Sequence, residues 1–342
     1  MEEMEGQKQL NLRVCLLGDI MGNLDEGMKN ISYYLHKELS KFHRVAVVHP
    51  RKVILPHVLL KIRRFNPDIF FYVHGSSSRS FFIVKCLSII FTKAKTGILV
   101  AHPDFSKLGE LLIGIMKPDV VVVQSKAMEG FFDNKGFRIL WLPSGVDTKK
   151  FTPCSKEQKL ALRRKYGIPV DKFTVLHVGP IRANRNPEVL VSIQKKPDVQ
   201  VVIAGSTTVR ADEAVLQQLK DARCIVWIGY FPNIEELFRL ADCYVFPVMT
   251  DDGAVQVPLT VLEAAACNLP VVTTPFGGLP DMVGEKEGLF YVRTLEEVLK
   301  AVEDCKDCKA ASRQWAVEFS WERIGERLVE IYRDLIEKEN DV

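Results

Sequence analysis

The chain has 342 residues, 47% hydrophobic and 26% charged, which is the composition of a soluble globular protein with room for two domains. The formal net charge of +3 is modest, so the composition does not indicate a nucleic-acid partner. No run of 18 apolar residues is present, and the N-terminus, with three glutamates in its first five residues, does not resemble a secretory signal.

The eight cysteines predict a reducing compartment rather than a disulfide framework. Five of them lie in apolar segments, as buried thiols do: Cys15, Cys86, Cys224, Cys243 and Cys267. Cys305 and Cys308 form a C-x-x-C pair with no second pair and no nearby histidine. Metal or redox use of this pair stays open, but we favour a solvated helix face. We therefore expect a cytoplasmic protein.

In the first half of the chain, short apolar strands alternate with helical stretches. The predicted strands are Leu12–Leu17, Arg44–His49, Asp68–Val73, Thr96–Val100, Asp119–Val123 and Arg138–Leu142. This alternation predicts a doubly wound parallel sheet, in which ligands bind beyond the carboxyl ends of the strands. A loop that contains glycine follows the first strand, and Gly27 at the start of the next helix would let a ligand approach the backbone.

Two basic, apolar segments, Arg51–Phe65 and Phe81–Lys95, separate these strands. The second segment is too short to cross a bilayer. It can pack as an ordinary helix on the sheet or lie against a membrane surface, and we favour packing. A peripheral contact of the N-terminal domain with the inner face of the membrane therefore stays open.

The strand and helix pattern restarts after a charged connection that runs from Thr148 to Ile168. The predicted strands are Phe173–Val178, Val199–Ala204, Cys224–Ile228, Cys243–Pro247 and Val271–Thr274. A last helix is predicted from about Trp321 to Lys338. We therefore predict two Rossmann-like domains, over residues 1–150 and 151–318, followed by a C-terminal helix within residues 319–342.

The stretch from Val257 to Val272 predicts a short apolar helix followed by a buried strand. Pro258 suits the first helical position, and Asn268 suits the left-handed conformation that ends a helix. Val257 then occupies the N-cap position without a side-chain acceptor. The N–H groups of the first turn are therefore left without a local partner.

Thr260 and Glu263 are the polar side chains of this helix, and their spacing places them on one face. A carboxylate in an apolar helix is costly unless it meets a partner. In one interpretation a phosphate caps the open helix end, while Glu263 accepts hydrogen bonds from hydroxyls of the same ligand. In the other, this is a core helix whose Glu263 pairs with an arginine or lysine. The helix alone leaves both interpretations open.

Five stretches of the chain match, in order, the motifs of one family. They read Pro143-Ser-Gly-Val-Asp-Thr-Lys-Lys-Phe151-Thr-Pro, Val178-Gly-Pro-Ile-Arg-Ala-Asn-Arg185-Asn, Ala241-Asp-Cys-Tyr-Val-Phe-Pro247, Leu262-Glu-Ala-Ala-Ala-Cys-Asn-Leu-Pro-Val-Val272, and Phe319-Ser-Trp321 through Tyr332. The chain resembles the retaining nucleotide-sugar glycosyltransferases of the GT-B fold, the group 1 or family 4-like enzymes. The resemblance implies two Rossmann-like domains that face a central cleft and a C-terminal helix that returns to the N-terminal domain.

The resemblance also implies a donor site that lies mainly in the second half of the chain. Glu263 would accept hydrogen bonds from the donor ribose. The backbone N–H groups of Leu259 and Thr260 would hold the diphosphate, and Arg182 and Arg185 would neutralise it.

Further residues are assigned roles by the same resemblance. Gly27 would lie near the phosphates, and Tyr230 would flank the base. His102 matches the N-domain histidine that lies beside the reacting sugar. The acceptor-side residues would be His74, Ser76 and Asp104.

The chain departs from the family pattern at two places. The first carboxylate of the family's E-x7-E motif, which contacts the donor sugar, is replaced by Val255. Three neighbours are candidates to replace it: Gln256, Asp251 and Asp252. Pro180 stands where the family has arginine and Arg185 where it has lysine, and Arg182 is close enough in sequence to cover for the lost arginine.

The resemblance implies metal-independent transfer, with retention, from a nucleoside-diphosphate sugar to a hydroxyl of a glycan, lipid-linked or small-molecule acceptor. The absence of a clear D-x-D motif agrees with an enzyme that needs neither metal nor other cofactor. Arg182, Arg185 and the helix N-terminus would stabilise the departing diphosphate, and His102 would stabilise charge on the sugar or orient the acceptor. The alternatives are a nucleotide-sugar 2-epimerase of the same fold and a catalytically impaired donor-binding relative.

Overall fold

The computed structural model describes residues 11–24, 26–250, 254–308 and 311–337. These residues divide into two compact units. The first unit holds residues 11–24, 28–143 and 321–337, and the second holds the described residues of 26–27 and 144–320. The division falls after Pro143 rather than after residue 150, so the motif that follows Pro143 belongs to the second unit.

The first unit contains a six-stranded sheet with helices between its strands. Its strands are β1 (Arg13–Leu17), β2 (Arg44–Val48), β3 (Ile69–Tyr72), β4 (Lys95–Val100), β5 (Val120–Val123) and β6 (Ile139–Trp141). Its helices are α1 (Gly27–Leu39), α2 (Pro56–Phe65), α3 (Ser78–Ile90), α4 (Lys107–Ile113), α5 (Lys126–Asp133) and the C-terminal α14 (Trp321–Glu337). All neighbouring strands pair in parallel, in the order β2-β1-β3-β4-β5-β6, which confirms the predicted doubly wound sheet.

Both faces of this sheet are covered, as the four consecutive valines of β5 indicate. On one face, buried side chains of α2, α3, α4 and α5 share a single core with β-strand residues that include Phe70. The next residue, Phe71, points to the other face. There it contacts Tyr332 of α14 edge to face, with ring centroids 5.6 Å apart. The C-terminal helix is therefore an integral part of the first unit.

The second unit contains another six-stranded parallel sheet. Its strands are β7 (Phe173–Val178), β8 (Val199–Gly205), β9 (Ile225–Ile228), β10 (Cys243–Phe246), β11 (Val271–Thr273) and β12 (Leu289–Tyr291). Its helices are α6 (Lys156–Lys165), α7 (Pro187–Gln194), α8 (Glu213–Asp221), α9 (Ile234–Leu240), α10 (Leu259–Ala266), α11 (Leu279–Met282), α12 (Leu295–Asp304) and α13 (Ser312–Ala316). The strand order is β12-β11-β10-β7-β8-β9. The bounds of β7 match the prediction, whereas β12 was not predicted.

The C-x-x-C pair differs from the expectation of a solvated helix face. Cys305 follows α12 and is buried, with its Sγ atom 3.6 Å from Sγ of buried Cys243. Burial raises the pKa of the Cys243 thiol well above its usual value. Cys305 therefore contributes to the core, because α12 lies with its apolar side against the sheet.

The segment Phe81–Lys95 packs on the sheet, as we favoured. It forms most of α3, with Phe81, Val84 and Leu87 buried in the core that this helix shares with the strands. Within the described part of the chain, no helix combines the length and the apolar character needed to cross a bilayer.

We predict that Gly325→Ala destabilises the first unit. A Cβ atom at Gly325 would lie 2.6 Å from Cβ of Glu38 in α1, so α14 would have to move away from α1. Overpacking of this kind costs about 1–3 kcal/mol of the free energy of unfolding, which denaturant titration measures.

The matched control is Gly130→Ala in α5, where a Cβ atom would meet nothing within 4 Å. Replacement of this exposed helical glycine should stabilise the protein by about 0.5–1 kcal/mol. A Gly325→Ala variant as stable as Gly130→Ala would contradict the close packing of α1 and α14.

Candidate functional site

The second sheet changes its direction of growth between β7 and β10. The chain moves outward from β7 to β8 and β9, then returns to form β10 on the other side of β7. The connections that follow β7 and β10 therefore leave the sheet in different directions. In open α/β sheets, ligands bind at the carboxyl ends of the strands at such a switch point.

The helix that follows β10 begins without a side-chain cap. Pro258, rather than Val257, is the N-cap residue, so α10 starts at Leu259. Pro258 lies outside the helix because its ψ of 119° is that of extended backbone. Proline offers no side-chain acceptor, and the N–H groups of Leu259 and Thr260 have no partner within the helix. At the other end, Asn268 adopts the predicted left-handed conformation, with φ of 62°.

Arg185, in the connection after β7, carries a largely buried guanidinium group. Its Cζ atom lies 5.9 Å from the centroid of the Phe246 ring at the end of β10. Burial lowers the pKa of Arg185, and among the described residues no carboxylate pairs with its guanidinium. A desolvated, unpaired cation is costly, and an anion in front of it would remove that cost.

Glu263 lies on the partly exposed face of α10, and no described residue donates a hydrogen bond to its carboxylate. Burial raises the pKa of Glu263 to about 7, while Lys150 lowers it and Glu235 raises it further. Lys150 pairs instead with Glu235, at 3.6 Å between Nζ and Oε2. The interpretation in which Glu263 forms an ion pair inside the core therefore does not hold for the described chain.

Tyr244 in β10 brings these groups together. Its hydroxyl donates a hydrogen bond to Oγ1 of Thr260 at 2.7 Å. Tyr244 also interacts electrostatically with both Arg185 and Glu263, and burial raises the pKa of its phenol. A cation, a carboxylate and an uncapped helix start thus surround one buried tyrosine at the switch point.

His177, the penultimate residue of β7, is a part of this region that the sequence did not single out. Its Nδ1 atom lies 3.0 Å from the carbonyl oxygen of Val245, so Nδ1 carries the proton. Burial lowers the pKa of His177 to about 4, and Arg185 lowers it as well. The ring is therefore neutral at pH 7. A histidine inside an otherwise apolar strand was the available signal.

The segment before α10 is fixed by a glycine turn. Gln256 is buried, and its carbonyl oxygen accepts a hydrogen bond from the N–H of Gly278 at 2.8 Å. Gly277 has φ of +53°, and a Cβ atom there would lie 2.3 Å from the same carbonyl oxygen. Val255, at the position of the missing carboxylate, is also buried. Two candidates to replace that carboxylate, Asp251 and Asp252, lie outside the described residues.

Other predicted donor-site residues are less enclosed. Arg182 is exposed in the connection after β7, and no described residue pairs with it. Tyr230 follows β9 and is 39% exposed. Gly27 is the first residue of α1, as predicted, and is partly buried. The structure therefore brings Arg185, Thr260 and Glu263 together, whereas Arg182 makes no described contact with them.

In the first unit, the switch point lies between β1 and β3, where His74 follows β3. The His74 ring contacts the ring of His49, which follows β2, edge to face at 6.0 Å. Burial lowers the pKa of His74, as do His49 and Arg51, while Asp19 raises it. The N–H of Gly75 donates to Nδ1 of His74, which leaves Nε2 of the neutral ring as a donor.

The remaining predicted residues of the first unit lie at the end of β4. The carbonyl oxygen of His102 accepts from the N–H of Ser76 at 3.0 Å, and the His102 ring is half-buried. The Ser76 hydroxyl is buried and donates to the carbonyl oxygen of Leu99, so it holds the loop rather than facing a ligand. Asp104 is exposed. The Ser76 hydroxyl is therefore engaged within the protein, and the place of Ser76 on the acceptor side stays a prediction.

Metal ligation has no evident site in the chain as described. Over residues 11–24, 26–250, 254–308 and 311–337, no group of three His, Cys, Asp or Glu side chains is arranged to hold a metal ion.

Relatives of known function match much of this chain. The D-inositol 3-phosphate glycosyltransferase of Paenarthrobacter aurescens is 28% identical over 220 residues, which cover 58% of this chain and 52% of the relative. The GDP-mannose-dependent monoacylated alpha-(1-6)-phosphatidylinositol monomannoside mannosyltransferase of Corynebacterium glutamicum is 30% identical over 211 residues, 56% of this chain and 55% of the relative. The chain thus spans about half the length of these curated relatives.

A solved structure establishes the fold, and a family model matches the second unit. The crystal structure of Anabaena HepE in complex with UDP and glucose superposes with a TM-score of 0.74 at 15% identity, and the match covers 95% of this chain and 100% of that chain. The two parallel sheets with their flanking helices therefore form the GT-B fold. The family model described as glycosyl transferases group 1 matches residues 158–316. This region, which contains the switch point and α10, is thus similar to the glycosyl transferases group 1.

Proposed function

We propose that this protein transfers a sugar from a nucleoside-diphosphate sugar to a hydroxyl acceptor, with retention of configuration and without a metal ion. The observation that carries the proposal is the largely buried guanidinium of Arg185, which is unpaired among the described residues, beside the uncapped start of α10. Both features are costly in an empty protein, and a bound diphosphate would satisfy both. The curated relatives described above are named for sugar transfer, which agrees with this proposal.

The diphosphate would bind across the switch point of the second sheet. The N–H groups of Leu259 and Thr260 would donate to phosphate oxygens, assisted by the dipole of α10. Arg185 would supply charge-assisted hydrogen bonds from above the Phe246 ring. Arg182 is free to turn toward the phosphates from its exposed position, as a second and weaker source of charge.

The donor ribose would bind to Glu263. Its carboxylate has no described donor, and hydroxyl groups of a ribose are the donors that it lacks. Hydrogen bonds to the charged form would lower the raised pKa of Glu263, so nucleotide binding would stabilise the carboxylate. Tyr230, exposed after β9, would flank the base.

Bond cleavage would be driven by stabilisation of the leaving diphosphate. As the sugar–phosphate bond breaks, negative charge grows on the oxygen nearest Arg185 and the α10 N–H groups. These fixed donors would take the place of a metal ion. The departing phosphate would accept the proton of the acceptor hydroxyl, and His102 would orient the acceptor or stabilise positive charge on the sugar.

The sugar-binding role of the missing carboxylate would fall to Gln256. Val255 has no polar atom for this role, and the Gln256 backbone is fixed by the turn at Gly277. A Gln256 amide can donate to and accept from sugar hydroxyls, although it carries no charge. An impaired, donor-binding relative is the second candidate that this replacement favours.

The acceptor would meet the first unit near His74. His49, His74 and Arg51 interact electrostatically beside the switch point of the first sheet, and such a group suits an acceptor that carries a phosphate. Two relatives are named for inositol 3-phosphate and phosphatidylinositol substrates, which agrees with this chemistry. We propose a hydroxyl of a small-molecule, lipid-linked or glycan acceptor.

The test of the function is product analysis with UDP- and GDP-sugars and phosphate-bearing acceptors. NMR of the anomeric proton should show that the product keeps the configuration of the donor. The rate of product formation should not change in EDTA. Inversion, or loss of activity in EDTA that Mg²⁺ restores, would contradict the proposed mechanism. Formation of the C2-epimer of the donor sugar in the absence of an acceptor would indicate the epimerase. Binding of the nucleotide-sugar in the calorimeter without turnover would indicate the impaired relative.

We predict that Arg185→Ala weakens binding of the nucleoside diphosphate by about 1.5–3 kcal/mol, the scale of a lost hydrogen bond to a charged group. Turnover should fall at least as far, because charge on the diphosphate grows in the transition state. Arg182→Ala should have a smaller effect, since this side chain is exposed. Isothermal titration calorimetry with UDP and GDP measures the affinities.

The control for both variants is Arg164→Ala, which removes an exposed arginine from α6. It should bind nucleotide as the wild type does. Equal affinities for wild type and Arg185→Ala, in folded protein, would refute the phosphate assignment.

We predict that Glu263→Gln stabilises the ligand-free protein while it weakens nucleotide binding. The pKa of Glu263 rises from 4.5 to about 7 on folding, so wild-type stability falls as the pH rises between these values. At pH 8 the glutamine variant should therefore be more stable by up to about 3 kcal/mol, and the gain should vanish near pH 4.5. Its nucleotide affinity should be lower by about 1–3 kcal/mol.

Denaturant titrations at pH 4.5, 6 and 8 measure the pH profile. Glu285→Gln, at an exposed glutamate of the second unit, serves as the control and should change neither property. A glutamine variant with unchanged affinity for UDP and for GDP would remove Glu263 from the ribose site.

A further inference from the structure

Helices α2, α3 and α4 of the first unit lie on one face of its sheet. Buried residues of α2, α3 and α4, among them Ile62, Phe81 and Ile113, belong to the same core. Helices α3 and α4 approach closely, since a Cβ atom at Gly109 would lie 2.1 Å from Oγ of Ser78. The sides of α3 and α4 that point away from the sheet therefore adjoin, and we call them, together with the outward side of α2, the outer helical face.

Large apolar side chains project from the outer helical face. Six of them are 58–76% exposed: Leu60, Phe82, Ile89, Leu108, Leu111 and Ile115. Phe82 and Ile89 in α3 and Leu108 and Leu111 in α4 recur at helical spacing, and Ile115 lies in the turn after α4. Both helices therefore expose apolar side chains in addition to the apolar stripe that each has in the core. Scattered exposed leucines are ordinary, but exposed apolar side chains at helical spacing on neighbouring helices are not.

The segment that contains these three helices, residues 51–117, is strongly basic. Residues 51–117 contain eleven Lys and Arg and three Asp and Glu, a net charge of +8 against +3 for the whole chain. One of the three acidic residues, Asp68, is already paired with Arg13. Lys61, Arg63 and Arg64 are exposed on α2, and Lys107 is exposed at the start of α4. Helices α2 and α4 thus carry exposed cations as well as exposed apolar side chains.

We propose that the outer helical face docks on the surface of an anionic lipid bilayer. Apolar side chains would enter the interface between headgroups and acyl chains, while lysines and arginines contact anionic headgroups. A second copy of this chain is a poor occupant, because each copy would bring a segment of charge +8 against another. The proposal is independent of the sugar-transfer function.

The test is co-sedimentation of the full chain with vesicles of phosphatidylcholine alone and of phosphatidylcholine with about 30% phosphatidylglycerol, at about 0.1 M salt. The protein should bind the anionic vesicles, and binding should weaken as salt is raised. The variant Leu111→Glu/Ile115→Glu should lower the partition coefficient about tenfold or more, because it replaces inserted apolar groups by repelled charges. Lys61→Glu/Arg64→Glu should lower it as well.

The control is Val170→Glu, which changes an exposed apolar residue of the second unit and should bind as the wild type does. All substituted positions are exposed, and thermal unfolding of each variant verifies the fold. Failure of the wild type to bind anionic vesicles would overturn the proposal and leave a protein partner as the occupant. Equal binding by Leu111→Glu/Ile115→Glu and the wild type would also overturn it.

Discussion

The largely buried guanidinium of Arg185 is the feature on which the account of this protein depends. It lies over the Phe246 ring, at the point where the second sheet reverses its direction of growth, and no described carboxylate neutralises it. The uncapped start of α10 adds unsatisfied N–H groups that face the same kind of ligand. A fold that served stability alone would pair or expose such groups. Their combination indicates a site kept ready for an anion, and it is the reason that we place a diphosphate there.

Glu263, like Arg185, is a charged group without a partner among the described residues, but its charge is negative. Its pKa of about 7 means that the empty protein holds this carboxyl near the boundary between its neutral and charged forms. A ribose that donates hydrogen bonds would favour the charged form, so ligand binding would offset the free-energy cost of burying this carboxylate. Residues that destabilise the empty protein are common at functional sites, where stability is exchanged for readiness to bind. The glutamate and the arginine both interact with Tyr244, which joins the two charges through one buried side chain.

The sequence predicted most of the fold and part of the site. Eleven of the twelve strands were predicted, because runs such as Val120–Val123 are apolar and end at polar or glycine residues. The exception is β12, three residues within the short apolar run of residues 289–292, which was overlooked although Gly288 and Arg293 bound it. The start of α10 was misplaced by one residue because proline fixes φ but leaves ψ free. Arg182 is exposed whereas Arg185 is largely buried, and His177 lies beside Val245. These features depend on contacts between β7 and β10, two strands that are far apart in the chain. Those contacts could not be predicted from a local pattern.

The central claim is that one nucleoside diphosphate satisfies the helix start, the guanidinium and the carboxylate together. The most direct measurement is a crystal structure of the protein with UDP or GDP. We expect phosphate oxygens within hydrogen-bond distance of the Leu259 and Thr260 N–H groups and of Arg185, with the ribose hydroxyls on Glu263. A nucleotide bound elsewhere on the chain, or phosphates that leave Arg185 without a contact, would contradict the account.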